Sequence, residues 1–214
     1  MAEAATRAGR APEEVQLMAV SKTKPIELIR EAIDAGATLL GENRVQELSE
    51  KRPELTGCTV HMIGHLQTNK AAKAVQHADM IQSVDSMRIA KEISRACVAQ
   101  GKGMPILLEV NIGREAAKFG FLPEQVSEAA AEIAQLPGIF VRGLMTIPPF
   151  LDEKTQTREF FSQMHKLFVD IRGKKMDNIS MDTLSMGMSD DFEEAIAEGS
   201  TLVRVGSAIF GSRY

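Results

Sequence analysis

The segment AVSKTKP (residues 19–25) places two lysines at the end of a predicted buried strand. Because a charged amine is costly away from water, a lysine in this place must reach water or lose its proton. Lys22 falls on the same side of the strand as Met18 and Val20, so its stem would run along an apolar wall. Loss of water favours the neutral amine, a nucleophile that attacks aldehydes. The alternatives are a lysine that extends to the rim of the fold, or an ion pair with Glu42.

Two short segments rich in glycine and serine are candidates for an anion site. SMGMS (residues 185–189) follows a predicted seventh strand, and VGS (residues 205–207) lies within a predicted eighth strand. Small residues let backbone N–H groups and hydroxyls approach a phosphate closely. Gly187 and Gly206 would equally suit tight turns. A lysine amine and a phosphate cradle at one edge would together suit a phosphorylated aldehyde or ketone.

Arg204 lies two residues before Gly206, inside the same predicted strand. A guanidinium stays charged when it is buried, so the sequence predicts a partner for it within the fold. That partner is either a carboxylate, such as Glu42 or Glu109, or an acceptor nitrogen in the ring of a bound ligand. The residues themselves leave both alternatives open.

The elements that must position these residues alternate between short apolar runs and longer amphipathic segments. Helices are predicted at residues 25–36, 67–78, 86–101, 123–136, 153–173 and 190–199. Strands, nearly all continuous apolar runs typical of a buried parallel sheet, are predicted at residues 15–21, 38–43, 59–64, 80–85, 104–112, 139–147, 183–188 and 201–211.

This alternation favours an α/β fold, a single (β/α)₈ TIM barrel spanning residues 1–214. In such barrels functional side chains collect at the C-terminal ends of the strands, where Lys22 and the two glycine-containing segments fall. An open doubly wound sheet is the alternative. It would need a glycine-rich loop after the first strand, and AVSKTKP contains no glycine.

Composition and charge exclude several classes of protein. The net charge of −4 provides no basic surface for nucleic acid or anionic membranes, and no apolar run is long enough to cross a bilayer. The first ten residues lack the apolar region of a signal peptide, so we expect a cytoplasmic protein. Cys58 and Cys97 do not have zinc-site spacing, and His61 and His65 are four residues apart across a strand end. No metal site is expected.

Several motifs are specific enough to indicate a family. AVSKTKP, GENRVQE, HMIGHLQTNK, KFG, GLMTI and LSMGMSDDFEEAIAEGSTLVRVGSAIFGSRY follow one another over essentially the whole chain. In this order they resemble the pyridoxal phosphate homeostasis protein family. The resemblance implies the barrel of the alanine racemase N-terminal domain (fold type III), bound pyridoxal 5′-phosphate (PLP), and no established enzymatic activity. It also implies a role in balancing free PLP and amino-acid pools.

The resemblance assigns cofactor-binding roles to individual residues. Lys22 would hold PLP as a covalent Schiff base, Asn43 would lie beside the ring, and Arg204 would face the pyridine nitrogen. Lys24 and Lys118 match lysines proposed to handle PLP at secondary positions. The full set implied for PLP binding is Lys22, Asn43, Ser185, Gly187, Met188, Arg204, Gly206 and Ser207.

The implied phosphate cradle has two halves. Ser185, with the backbone at Gly187 and Met188, would form one half. Gly206 and Ser207 would form the other, with Ser207 where the family more often has threonine, a change that keeps the hydroxyl.

The N-terminal segment departs from the family pattern. Family members usually begin with a longer helix, of which MAEAATRAGR (residues 1–10) resembles only the second half. The predicted eighth strand lies close to the last residue, so this segment would also have to supply the eighth helix of the barrel. We therefore expect a truncated N-terminal helix in that place.

The Arg204 role implies binding rather than catalysis. A guanidinium facing the ring nitrogen keeps that nitrogen unprotonated, which makes PLP a weaker electron sink. Racemases on this barrel tolerate the same arrangement, but they use a second base, a tyrosine from a further β domain. Here the only tyrosine is Tyr214 and no such domain is expected. We therefore expect no catalytic residue and no turnover, with a minimal PLP-dependent amino-acid racemase as the alternative.

A Schiff-base aldolase is less consistent with the sequence, because no Asp or Glu is adjacent to Lys22 to act as its base. The racemase dimer depends on the further β domain, so a monomer is expected. PLP itself is the expected ligand, and PLP-dependent apoenzymes are the possible recipients.

Overall fold

A computed structural model describes residues 1–149 and 154–211 of the chain. Within these ranges parallel strands pair in chain order, and the last strand pairs with the first to close a barrel. The prediction of a (β/α)₈ barrel is confirmed. The strands are β1 (Gln16–Val20), β2 (Leu39–Glu42), β3 (Thr59–Met62), β4 (Met80–Val84), β5 (Met104–Glu109), β6 (Ile139–Met145), β7 (Ile179–Ser185) and β8 (Leu202–Val205).

Helices surround this barrel, and their ends follow local signals in the sequence. At the start of α5 the side chain of Ser86 accepts a hydrogen bond from the Ile89 N–H, and Gly101 ends the helix with a left-handed φ of 60°. The helices are α1 (Ala2–Arg7), α2 (Ile26–Asp34), α3 (Val45–Lys51), α4 (Ala71–His77), α5 (Met87–Gln100), α6 (Val126–Ile133), α7 (Lys154–Gly173), α8 (Phe192–Ala197) and α9 (Ser207–Phe210).

The structure differs from the predicted elements at two places that matter for the site. β1 ends at Val20, so Lys22 lies in the following turn rather than at the strand end. β8 ends at Val205, and the apolar run after it forms α9, in which the Phe210 N–H donates to the Gly206 carbonyl at 2.9 Å. A run this short and apolar fits either structure, because periodicity cannot separate a buried strand from a buried helical turn.

One helix, α3, was not predicted at all. Of its seven residues only Val45 and Leu48 are buried, and the others are polar or charged. Two buried positions in two turns give too little periodicity to detect a helix from sequence.

The apolar core has separate layers on the two faces of the strands. The largest cluster lies between the barrel and the helices, and includes Leu40, Ile81 and Ile106. A smaller cluster inside the barrel includes Met18 and Leu202. The interior also contains four buried polar side chains that a purely apolar core would not need: His61, Gln82, Ser185 and Arg204.

The N-terminal segment covers the outside of β8. Ala4 and Ala5 of α1 are buried against Val203 and Val205 of β8 and Ile196 of α8. A short helix therefore lies over the strand that closes the barrel.

Gly143 provides a test of the barrel's packing. It has a φ of +152°, and a Cβ atom there would lie 1.8 Å from the carbonyl oxygen of Thr183 on β7. We expect Gly143→Ala to lower the free energy of unfolding by at least about 2 kcal/mol in urea denaturation, because the two strands would have to separate. Gly173→Ala is the control, since nothing lies within 4 Å of a Cβ there. Equal urea midpoints for the two variants would contradict the packing described.

Candidate functional site

A cavity of about 270 Å³ opens at the C-terminal ends of the strands. Its walls come from the ends of β1, β2, β3, β6, β7 and β8 or the loops that follow them. This volume is slightly below the usual range for drug-sized ligands, about 300–1,000 Å³, and suits a smaller molecule. The lining residues are Val20, Lys22, Thr23, Lys24, Asn43, Ile63, Ile147, Met188, Ser189, Asp190, Arg204, Gly206, Ser207 and Gly211.

A larger cleft, of about 1020 Å³, lies near the other end of the barrel. It is lined by residues such as Gln16, Leu39 and Thr59, at the starts of β1, β2 and β3. Its lining contains no Lys, Arg, Asp or Glu. The smaller cavity is therefore the better candidate for binding a charged ligand, despite its size.

Lys22 is partly buried and lines the cavity beside Val20. The alternative of an ion pair with Glu42 is not supported, because that carboxylate is engaged on the outside of the barrel. Glu42 Oε1 accepts from Ser21 Oγ at 2.7 Å and from Lys51 Nζ at 2.9 Å. Burial raises the pKa of Glu42, and the hydrogen bonds from Ser21 and Lys51 oppose that change.

At the mouth of the cavity, Lys24 connects an early part of the chain to a late part. Its Nζ donates to the carbonyl oxygen of Phe210 at 2.9 Å and to that of Gly211 at 3.4 Å. The loop after β1 is thereby tied to the segment after α9. Lys22 and Lys24 both line the cavity. The amine of Lys24 is held by backbone carbonyls.

Arg204 is 4% exposed and lies inside the barrel. Within the described residues its hydrogen bonds go to Ser185 Oγ at 2.7 Å and to the Thr146 carbonyl at 2.8 Å. These acceptors are a hydroxyl and a carbonyl, so the carboxylate alternative, Glu42 or Glu109, is not supported. Burial lowers the pKa of Arg204 to about 10, with Asp191 and Glu109 acting in the opposite direction. The guanidinium remains charged at neutral pH.

A chain of hydrogen bonds continues from Arg204 through the barrel interior. Ser185 Oγ donates to Gln82 Oε1 at 2.8 Å, so the Gln82 amide nitrogen faces His61 Nδ1 at 2.9 Å. This orientation assigns the donor role to Gln82 and places the His61 proton on Nε2. Burial lowers the pKa of His61 to about 4, which keeps the ring neutral. The stability this contributes is present above the ordinary pKa of 6.5 and is lost as the pH falls toward 4.

The predicted phosphate cradle divides between the cavity wall and the layer behind it. Met188, Gly206 and Ser207 line the cavity. Ser185 and Gly187 do not. Ser185 is fully buried and accepts a hydrogen bond from the Arg204 guanidinium. The Gly187 carbonyl accepts the backbone N–H of Arg204 at 3.0 Å.

Gly187 also fits the alternative of a tight turn. It has a φ of +94°, and a Cβ there would lie 2.5 Å from the Ala195 Cβ of α8. The backbone N–H of Met188 donates to Asp191 Oδ1 at 2.6 Å.

Asn43 lines the cavity directly after β2. Its backbone is fixed by a close approach of Gly64, where a Cβ atom would lie 2.2 Å from the Asn43 carbonyl oxygen. A glycine at position 64 is therefore required for the loop after β3 to pass beside the site.

The opposite side of the barrel mouth carries polar residues that sequence reasoning did not connect. His65 Nδ1 lies 2.9 Å from Asp85 Oδ2, and its ring stacks on Phe119 at 3.6 Å between centroids. Lys118 Nζ donates to the Pro148 carbonyl at 3.1 Å and lies outside the cavity lining. Asp85 directly follows β4, and Glu109 is the last residue of β5, so their positions at strand ends were the available signal.

Residues 1–149 and 154–211 contain no group of three or more His, Cys, Asp or Glu arranged to hold a metal ion. No helix in the part of the chain that the structure describes is long and apolar enough to cross a membrane. Tyr214, the only tyrosine in the sequence, lies outside the described residues.

Sequence comparisons identify close relatives over nearly the whole chain. The sequence model of the family "Alanine racemase, N-terminal domain" matches residues 2–214. The pyridoxal phosphate homeostasis protein of Escherichia coli (strain K12) is 45% identical over 215 residues, covering 98% of this chain and 91% of the relative. The protein of the same name from Aquifex aeolicus (strain VF5) is 39% identical over 213 residues, covering 99% and 92%.

Structural comparisons agree with the sequence comparisons. PipY of Synechococcus elongatus, solved with PLP bound, matches with a TM-score of 0.86 and 37% identity, covering 98% of this chain and 99% of that one. An alanine racemase of Clostridium difficile matches with a TM-score of 0.78 but only 16% identity, covering 99% of this chain and 55% of its own. The likeness to the racemase concerns the fold alone.

Glu109 gives a pH-dependent prediction. Burial, together with Asp85, raises its pKa from 4.5 to about 7, and Arg204 opposes this. A carboxyl with a raised folded pKa stabilises the fold below its unfolded pKa of 4.5, and this contribution is lost as the pH rises through about 7. We expect Glu109→Gln to increase the free energy of unfolding by about 1–2 kcal/mol at about pH 8 and to change it little at about pH 5.

Urea unfolding at the two pH values measures this difference. Glu132→Gln, at an exposed position of α6, is the control and should behave as the unsubstituted protein at both. A stability change for Glu109→Gln that does not depend on pH would contradict the assignment.

Proposed function

Because the chain belongs to the pyridoxal phosphate homeostasis protein family, we propose that it binds PLP in the cavity at the C-terminal ends of the strands. Its function is to hold PLP and contribute to the balance of free PLP and amino-acid pools. The observation that carries this proposal is the convergence of Lys22, Arg204, Gly206 and Ser207 on one cavity of about 270 Å³.

The cavity fits PLP in its chemistry as well as its size. Lys22 supplies the amine that bonds to the aldehyde carbon. A Schiff base forms as the carbonyl oxygen leaves as water, so no oxidant or reductant is needed. Gly206 is small enough for the phosphate to approach the backbone, and Ser207 supplies a hydroxyl for it. Met188 lines the cavity beside them. Asn43, which also lines the cavity, would lie beside the ring. Ser185 and Gly187 contribute from behind the wall, by holding Arg204.

Arg204 bears on how far bound PLP could be used for catalysis. PLP supplies an electron sink to the enzymes that use it, and that capacity is greatest when the ring nitrogen is protonated. Arg204 keeps its proton at neutral pH and can only donate, so it favours an unprotonated nitrogen. Ser185 and the Thr146 carbonyl hold the guanidinium in place at 2.7 and 2.8 Å. We therefore assign no catalytic residue.

The proposal extends to the setting in which the protein works. It acts as a cytoplasmic monomer, and PLP-dependent apoenzymes receive the PLP that it releases. The net charge of −4 supports small-molecule binding rather than nucleic-acid binding.

The decisive test of the site is borohydride reduction of the protein loaded with PLP, followed by peptide mapping. We expect a pyridoxyl group on Lys22, and none after Lys22→Ala, because the amine that forms the bond is gone. Lys91→Ala, at an exposed position of α5, is the control and should retain the adduct. An adduct mapped to Lys24, or one that persists in Lys22→Ala, would overturn the assignment of Lys22.

The assignment as a binding protein is tested separately with D- and L-amino acids. We expect the purified, PLP-loaded protein to produce no measurable racemisation, because the Arg204 guanidinium weakens the electron sink and, in the described part of the chain, the cavity lining contains no tyrosine to act as a second base. Chiral chromatography after prolonged incubation measures this directly. Racemisation that disappears in Lys22→Ala would identify the protein as an enzyme instead.

A further inference from the structure

The turn that carries Lys22 has an unusual backbone conformation. The Lys24 N–H donates to the Ser21 carbonyl at 3.1 Å, which closes a turn with Lys22 and Thr23 at its centre. Thr23 has a φ of +62°, in the left-handed region that glycine or asparagine normally occupies at this point of a turn. A β-branched residue adopts this conformation only where its surroundings impose it.

Glu47 of α3 contacts the backbone of this turn. Glu47 Oε2 accepts the Thr23 backbone N–H at 2.7 Å. Its carboxylate is also bound by Lys51 Nζ at 3.0 Å, one helical turn further along α3. The pKa of Glu47 is lowered, since the hydrogen bonds from Thr23 and Lys51 together outweigh the opposing effect of burial.

Lys51 holds the other side of the same turn. Its Nζ donates to the Ser21 carbonyl at 3.0 Å and to Glu42 Oε1 at 2.9 Å, in addition to Glu47. All three donors of the ammonium are therefore used. Ser21 Oγ donates to Glu42 Oε1 as well. The residues before and after Lys22 are thus each fixed by α3.

This network differs from an ordinary surface ion pair. The side chains of Lys51, Glu47 and Glu42 are 13%, 18% and 0% exposed. By contrast, the nearby pair Arg30–Glu54 is 52% and 54% exposed at the same kind of distance, 2.9 Å. Shielding from water strengthens the contacts of Glu47, while the exposed pair is largely screened.

We propose that Glu47 is a positioning residue for PLP binding: by holding the Thr23 N–H, it fixes the left-handed turn that presents Lys22 to the cavity. Glu47 is not among the residues that line the cavity, so it acts through the backbone of Thr23. Without it, Thr23 relaxes toward negative φ and the Lys22 side chain loses its direction into the site. This inference rests on the proposed binding of PLP at Lys22.

The test compares Glu47→Ala and Glu47→Gln with Glu54→Ala, which breaks the exposed pair instead. PLP dissociation constants come from absorbance titration. We expect the dissociation constant to rise about tenfold in Glu47→Ala, less in Glu47→Gln, which keeps an acceptor oxygen, and not in Glu54→Ala. Unfolding midpoints check that each variant is folded. If Glu47→Ala does not fold, the dissociation constant of Glu47→Gln tests the proposal.

A second substitution separates positioning from general stability. Glycine adopts positive φ without strain, so Thr23→Gly combined with Glu47→Ala should restore the dissociation constant to within about threefold of the original. An unchanged dissociation constant in Glu47→Ala, an equal increase in Glu54→Ala, or no recovery in the double variant would each overturn the proposal.

Hydrogen exchange measured without PLP distinguishes this proposal from the proposed function. The Thr23 amide should exchange at least about tenfold faster in Glu47→Ala than in Glu54→Ala, because its acceptor has been removed. Equal exchange rates would overturn the positioning role. If borohydride finds no adduct on Lys22 while the exchange rates differ as expected, the proposed function fails but the bracing of the turn by Glu47 stands.

Discussion

The Arg204 guanidinium lies inside the barrel, where its charge is costly unless its N–H groups find acceptors. It cannot neutralise itself at neutral pH, since its pKa remains at about 10 even when buried. The interior is organised around this constraint. Ser185 and the Thr146 carbonyl accept from it, and Gln82 and a neutral His61 extend the chain of hydrogen bonds across the barrel. A ligand that offers a further acceptor completes this arrangement rather than disturbing it.

The two principal residues of the cavity are therefore positioned by different means. Arg204 is set from inside the barrel, by side chains and a carbonyl on neighbouring strands. Lys22 is set from outside, by α3 acting on the backbone at Ser21 and Thr23. A lysine needs this second kind of support because its own side chain is long and has several rotatable bonds. Fixing the backbone restricts the amine without using any of its hydrogen bonds.

The architecture was predictable from the sequence because parallel strands in a barrel are continuous apolar runs, and eight of them recur with helices between. The strand ends also revealed much of the cavity, since Lys22, Asn43 and Arg204 interrupt or follow apolar segments. What the sequence could not reveal was pairing between distant residues. Glu42 was a reasonable partner for Arg204 by type and position, yet whether its side chain faces inward or outward is set by the register of β2. It points outward to Lys51.

The sequence reasoning missed α3, and with it the support for Lys22. That helix buries only Val45 and Leu48, and its important residues are charged, which in sequence looks like an ordinary solvated surface. Likewise, Ser185 was recognised as a polar residue at a strand end. Its position beneath Arg204 depends on how β7 and β8 lie against each other, which no local pattern specifies. Polar networks of this kind become visible only when the strands are assembled.

The pairing of β8 with β1 has a consequence for the order of events when the chain is made. Lys22 lies near the beginning of the chain, whereas Arg204, Gly206 and Ser207 lie near its end. The cavity forms only where these two regions meet, and Lys24 then ties them together through Phe210 and Gly211. A growing chain on the ribosome thus exposes Lys22 long before the rest of the pocket exists. The PLP binding proposed for this cavity therefore requires that the final strand has been made.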